Sequence, residues 1–372
     1  MSGIALGFVG DVCLAGAMRP ALLRGGPAHC LELAKPLFED RDLVCANFEF
    51  CIVSDDVDGS PKNVLQVPRS LADGIGDAGI GVWSLCNNHV LDAGAEGLAT
   101  TLRFLDERGQ YHFGAGASRG AAERLLVVDV RGRSVGFIGA CDVHRHFASD
   151  SAGGIAPLLG DRLLQRVAEA RKEVDVVVCA LHADLEFSRH PAPGRVRLSR
   201  ALIECGADLV VQHHPHVCQG IERHGNGLIA YSLGNFVFPV AGDRYQDRFP
   251  ATKWSVVLCV DVEWRGRQRS LSWRVEPVTL GSDGRPSPSI GTEREGHLAT
   301  MAEVSKQLAD RTLLRREWWM RCVQEARSTY YVLQHCRSRA GVRSALAEAV
   351  DLARNPYERR WMYGLLTGGT AG

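Results

Sequence analysis

Five apolar runs in this chain each end in residues able to hold a metal or move a proton, and that repeated pattern constrains the fold more than any other feature. They are Ile4-Ala-Leu-Gly-Phe-Val-Gly-Asp11, Leu43-Val-Cys-Ala-Asn-Phe-Glu49, Gly81-Val-Trp-Ser-Leu-Cys-Asn-Asn-His89, Val174-Asp-Val-Val-Val-Cys-Ala-Leu-His182 and Ala207-Asp-Leu-Val-Val-Gln-His-His-Pro-His216. Short continuous runs of apolar and β-branched residues read as buried strands. In open α/β sheets, ligands gather at the carboxyl ends of such strands. A single polar residue at a strand end is ordinary; five in one chain point to a shared site.

The last run is the densest in chemistry. His214 and His216 flank Pro215, whose ring fixes φ near −65° and limits how the two imidazoles are disposed. Neutral imidazole is the commonest protein ligand for transition metals. A buried histidine cluster with no cation would face desolvation and mutual repulsion on protonation. Cys13, beside the end of the first run, reads instead as a core thiol.

The motifs fall in a recognisable order: Val9-Gly-Asp11, Ala46-Asn-Phe-Glu49, Asn87-Asn-His-Val-Leu-Asp-Ala-Gly94 with Gly97 and Thr101, His182-Ala-Asp-Leu-Glu-Phe187, the histidine block, and Tyr231-Ser-Leu-Gly-Asn-Phe236. Over roughly residues 4–262 the chain resembles the CapA-like poly-γ-glutamate capsule biosynthesis proteins, related in fold to calcineurin-like metallophosphoesterases. The resemblance implies an α/β fold, a layered α/β/β/α sandwich of metallophosphatase type. It also implies that Asp11, Glu49, Asn88, His182, His214 and His216 surround one or two divalent cations, and that His89 moves a proton. Two departures stand out. The relatives' first motif is Asp-x-His where this chain has Cys13, and their bridging aspartate is replaced by Asn47 and Glu49.

Carboxylate and carboxamide oxygens mixed with imidazole nitrogens suit Mn, Zn or Fe. Catalytic roles fall to His89, Asp11 and Glu186; the last, four residues past His182, either orients a histidine or binds substrate. The implied activity is metal-dependent hydrolysis of a phosphoester or of a γ-glutamyl or peptide-type amide, so the expected partner is a small-molecule or peptide-like substrate. Two alternatives stay open: metal-assisted amide formation from an activated acyl donor, and a noncatalytic binding module on the same fold.

At 372 residues the chain exceeds the usual ~250–300 of a single core. Residues 1–280 read as the α/β domain, 281–292, rich in Gly, Pro and Ser, as a linker, and 293–372 as a C-terminal helical region. Helical spacing appears at Ala95–Arg108, Asp161–Lys172 and Gly194–Cys205, and beyond the linker at Ala299–Leu308, Leu313–Gln334 and Val342–Ala353. Further strands are expected at Leu125–Val130, Ser134–Ala140, Leu228–Leu233, Ser255–Val262 and Leu271–Val278. Gly114-Ala-Gly116 reads as a tight turn, since it lacks a phosphate-loop pattern. The C-terminal Trp318, Trp319, Tyr330 and Tyr331 suggest a helical cap packing aromatics onto the body, and the arginines around them a solvated helix face.

Charge excludes one class of partner. With 43 Lys+Arg against 43 Asp+Glu there is no basic excess to attract nucleic acid. No window reaches the ~20 apolar residues of a membrane span. The start lacks a basic leader region, and most of the twelve cysteines sit inside apolar runs. A cytoplasmic protein with reduced thiols is therefore expected, with no membrane partner.

Overall fold

The computed structural model describes residues 3–56, 64–143, 146–239, 249–266, 268–327, 329–330, 349–350 and 356–366. Its plan follows from how the apolar runs distribute their side chains. In strand Val176–His182, Val176, Val178 and Ala180 join one buried cluster with Ile4, Leu6 and Phe8 of the first strand. Val177, Cys179 and Leu181, on the opposite face, pack with Leu163, Val167 and Leu202 of two helices. A strand covered on both faces needs apolar residues at every position, which is why the run is continuous rather than alternating. Each fully buried Val or Leu of this kind stabilises the fold by about 1.5–3 kcal/mol.

Two sheets result. The larger, of eight strands, runs in the order Pro286–Pro288, Gln268–Leu280, Trp254–Arg265, Gly3–Val12, Leu43–Phe48, Val82–Ser84 and Tyr111–Phe113, with Asn235–Val237 paired to the end of Gly3–Val12. The smaller, of six, runs Ile221–His224, Gly227–Ala230, Leu209–His213, Val176–His182, Arg133–Cys141 and Leu126–Val130. Their facing sides share one core. Helices Arg19–Leu31 and Gly94–Glu107 cover the outside of the larger sheet, and Gly160–Ala170 and Pro193–Glu204 the outside of the smaller. The molecule is thus an α/β/β/α layered sandwich.

In both sheets the middle strands are parallel, so their carboxyl ends lie side by side. Asp11 pairs in register with Asn47 and with Asn235, and Asn47 with Ser84. In the other sheet Cys141, His182 and His213 are in register. The first strand passes Gly234 very closely: Asp11 N donates to Gly234 O at 2.9 Å, and a Cβ on Gly10 would sit 1.8 Å from that oxygen. Gly10→Ala is expected to lower unfolding free energy by at least the ~1–3 kcal/mol of overpacking. Denaturant titration checks this, and an unchanged midpoint would disprove the close approach.

Most of the expected helices and strands appear with ends shifted by a few residues, although the helix expected from Ala299 begins at Gly291; Leu228–Leu233 stops at Ala230, before the chain turns through Gly234 at φ +80°. Gly114, at φ +89°, bends the chain, but Ala115–Gly116 is a short strand paired with Gly154–Ile155 rather than part of the expected tight turn. The stretch 281–292 differs from expectation. It folds back as an edge strand, Pro286–Pro288, hydrogen-bonded to Gln268–Leu280, and helix Gly291–Gln307 begins inside it. Its Gly and Pro serve a tight reversal, with Gly284 at φ +77°, rather than a flexible tether.

Beyond it a helix spans 311–327, and Pro356–Leu366 is a helix that periodicity had not marked. Tyr331 and nearly all of the expected helix Val342–Ala353 fall outside the described residues. Trp318, Cys322 and Trp361 pack with Leu185 and Ala192, while Trp319 and Tyr330 are exposed. The cap therefore uses part of its aromatic set, and uses it on the loop that follows His182. No helix among the described residues is long and apolar enough to cross a membrane.

Candidate metal centre

Where the parallel strand ends of the two sheets converge, Asp11, Asn47, Glu49, His182, His213, His214 and His216 are all buried. Two loops complete the site, and both are bent against the preference of their residues. Of the five non-glycine residues with positive φ among the described residues, four are Asp184 (+89°), Phe187 (+58°), His214 (+98°) and His216 (+58°). Such conformations cost on the order of 1–3 kcal/mol each and persist where the surroundings hold them. Here they turn His214 and His216 back toward the first strand.

The hydrogen bonds form one connected set. Asn47 Nδ2 donates to Asp11 Oδ1 (2.9 Å) and Glu49 Oε2 (2.8 Å). His213 Nδ1 donates to Asp11 Oδ1 (3.0 Å), and His216 Nδ1 to Asn235 Oδ1 (2.9 Å), with Asp11 Oδ2 3.3 Å away. That leaves His216 Nε2 directed at Glu49 Oε1, at 3.6 Å. His182 Nε2 donates to Asn88 Oδ1 (2.7 Å), and its ring lies 4.8 Å from that of His214.

Two triads have ligand atoms all within 4.8 Å of one another: Asp11, Glu49 and His216, and Glu186, His214 and His216. His216 belongs to both. Glu186 is half-buried and comes from the strained loop after His182.

Electrostatics shows which donor groups are charged and which neutral. Burial pushes the Asp11 carboxyl up, yet the hydrogen bond from His213 and the close approach of the His216 imidazole outweigh it and hold the group well below the usual carboxylate range. Burial, reinforced by the charge of Asp11, drives Glu49 well above that range. Burial pulls His216 down, but Glu49 and Asp11 lift it to about 10. His182 and His214 are held well below the ordinary imidazole value, by burial first and by a neighbouring histidine second. Asp11 Oδ2 and Glu49 Oε1 are buried and accept no hydrogen bond among the described residues. Carboxylate oxygens aimed inward beside neutral imidazoles are the donor set a divalent cation requires.

At the rim, His89 Nδ1 donates to Asp92 Oδ2 (2.8 Å), which also accepts the Leu65 amide (2.7 Å). The carboxylate thereby fixes the ring and leaves Nε2 free for proton transfer. Asn87 holds the turn from within: its side chain donates to Phe48 O (2.7 Å) and accepts from the amides of His89 and Val90. One side of the centre is aromatic, with Phe238 5.0 Å from the His216 ring and Phe187 stacked on Phe249 at 4.4 Å.

Asp11, Glu49, Asn88, His182, His214, His216, His89 and Glu186 are thus brought to one place. Sequence reasoning gave no role to His213, Asn235, Asp92 or Asn87. All four lie inside motifs already marked, but only the packing of the second sheet against the first sets His213 against Asp11. Cys13 is buried, donates its amide to Val237 O (2.7 Å) and has its thiol pushed up by burial. It stands in the core and belongs to neither triad. All eleven cysteines of the described residues are free thiols.

The layer order and the buried carboxylate–histidine cluster at the converging strand ends define an α/β/β/α sandwich with a candidate metal centre. The chain belongs to the bacterial capsule synthesis protein family PGA_cap, which it matches over residues 5–240. It is 29% identical over 254 residues to the capsule biosynthesis protein CapA of Bacillus anthracis, covering 66% of this chain and 62% of that one. It is equally similar, 29% over 249 residues, to the PGA biosynthesis protein CapA of Bacillus subtilis, covering 66% of each. A probable polyglutamine synthesis accessory protein of Mycobacterium tuberculosis is 25% identical over 261 residues, covering 67% of this chain and 68% of that one. The chain spans less than two thirds of the length of the Bacillus anthracis relative.

Proposed function

We propose that this protein is a metal-dependent hydrolase of a phosphoester or of a γ-glutamyl or peptide-type amide, acting in the making of an acidic capsule-type polymer. The observation that carries the reading is His89, tautomer-locked by Asp92 at 2.8 Å on the turn that also presents Asn88 to His182. A noncatalytic site has no need of an oriented imidazole with a free nitrogen beside its ligands.

Asp11, Glu49, Asn88, His182, His214, His216 and Glu186 would hold one or two divalent ions, Mn, Zn or Fe by donor type. The chemistry such an ion supplies is activation of water and polarisation of a phosphoryl or carbonyl oxygen. His89 Nε2 delivers a proton to the leaving group, and Asp92 stabilises the imidazolium before delivery. His213 and Asn235 keep Asp11 and His216 oriented. Phe187, Phe249 and Phe238 exclude water from one side.

Oxygen-18 water tests the reading. Hydrolysis places label in the product with no amine acceptor present. Unlabelled product formed only when an amine is added would replace hydrolysis by amide formation from an activated acyl donor. The Mycobacterium tuberculosis relative, named an accessory protein, favours a second reading as a noncatalytic binder. That reading predicts metal retention with no turnover of phosphoester or γ-glutamyl amide.

A further inference from the structure

Helix Pro193–Glu204 and the helix over 311–327 meet across a cleft of about 530 Å³, counting space open to solvent. Leu308 and Leu314 are buried in its floor, and its polar lining is four arginines, Arg197, Arg200, Arg311 and Arg315. No carboxylate lines it among the described residues. Arg200 is committed, since its Nη2 lies 2.7 Å from Glu222 Oε1, whose other oxygen accepts the Tyr231 hydroxyl. Arg197, Arg311 and Arg315 are exposed and make no ion pair among the described residues; the nearby Asp310 Oδ1 caps its helix by accepting the Thr312 and Leu313 amides.

Like charges three or four residues apart on a helix repel. With Arg200 neutralised by Glu222, the Arg311–Arg315 pair faces Arg197 across one cleft, and these charges, in a chain with no net charge, are relieved by an anion from outside. The cleft begins at the end of the loop that carries Glu186. Pro193 lines it, and the preceding Ala192 amide donates to Asp184 Oδ2 (2.9 Å) in the loop that carries Glu186. His190 Nε2 pairs with Gln307 Oε1 (2.7 Å) and ties that loop to helix Gly291–Gln307.

We propose that this cleft binds an acidic peptide chain, carboxylates on Arg197, Arg311 and Arg315 and methylene stems on the leucine floor, and holds it on the helix that follows the loop carrying Glu186. Guanidinium forks match carboxylates two bonds at a time, and several of them on two helices fit carboxylates repeated along a chain. The polymer class rests on the functional reading above; the anion site does not.

The test is fluorescence anisotropy of a labelled γ-linked oligoglutamate with the full chain, compared with the triple variant Arg197→Gln, Arg311→Gln, Arg315→Gln. Three exposed pairs predict roughly tenfold or greater weakening, a shallower salt dependence, and unchanged metal content. The single variants Arg311→Gln and Arg315→Gln, at exposed positions, give fractional losses if the triple variant folds poorly. Equal affinity of wild type and variants, absence of wild-type binding, or stronger displacement by inorganic polyphosphate of equal charge would each overturn the proposal. Arginine-dependent binding in a protein that hydrolyses nothing would remove only the catalytic reading.

Discussion

His216→Ala is expected to purify with most of its metal gone and its activity at background, while its circular dichroism stays that of the wild type. His216 is shared by both ligand triads found among the described residues, so its loss strikes either of them. Asn235→Ala supplies the graded comparison, because it removes only the acceptor at 2.9 Å that orients the His216 ring. Loss of such an outer partner costs about 10–100-fold in metal affinity, and loss of His216 itself should exceed that. Metal analysis of protein purified without chelator reads the result directly. Full metal occupancy in His216→Ala would exclude both triads.

His89→Asn is expected to keep its metal and lose roughly 10²–10⁴ in kcat, the range typical of a positioned acid or base. The loss should shrink for substrates whose leaving group needs no proton. Asp92→Asn should show a smaller loss in the same direction, since the carboxamide can still accept from Nδ1 but no longer stabilises the charged ring. Pre-steady-state and steady-state rates across a leaving-group series separate these cases. Equal losses with good and poor leaving groups would assign His89 to structure.

Much of the sandwich was legible from pattern alone. The continuous apolar run of Val176–His182 could only be a strand buried on both faces, and the helices Gly94–Glu107, Gly160–Ala170 and Pro193–Glu204 were written in their spacing. The stretch 281–292 was not, because Gly, Pro and Ser serve a tether and a tight edge reversal equally well. Only the ladder to Gln268–Leu280 distinguishes the two.

The sequence by itself determined which residue types stand at the strand ends, since a carboxylate or imidazole closing an apolar run is a local fact. That was enough to gather Asp11, Glu49, Asn88, His182, His214 and His216 into one set by resemblance. Only the tertiary structure decided how they are joined. The register of parallel strands places Asn47 and Asn235 beside Asp11 in one sheet, and the packing of the second sheet against the first brings His213 to the same carboxylate. The left-handed bends at His214 and His216 likewise have no signature in the chain, and neither does the place, at Leu185 and Ala192, where the expected helical cap lands. They are set by contacts between segments far apart in sequence, and no local propensity encodes those.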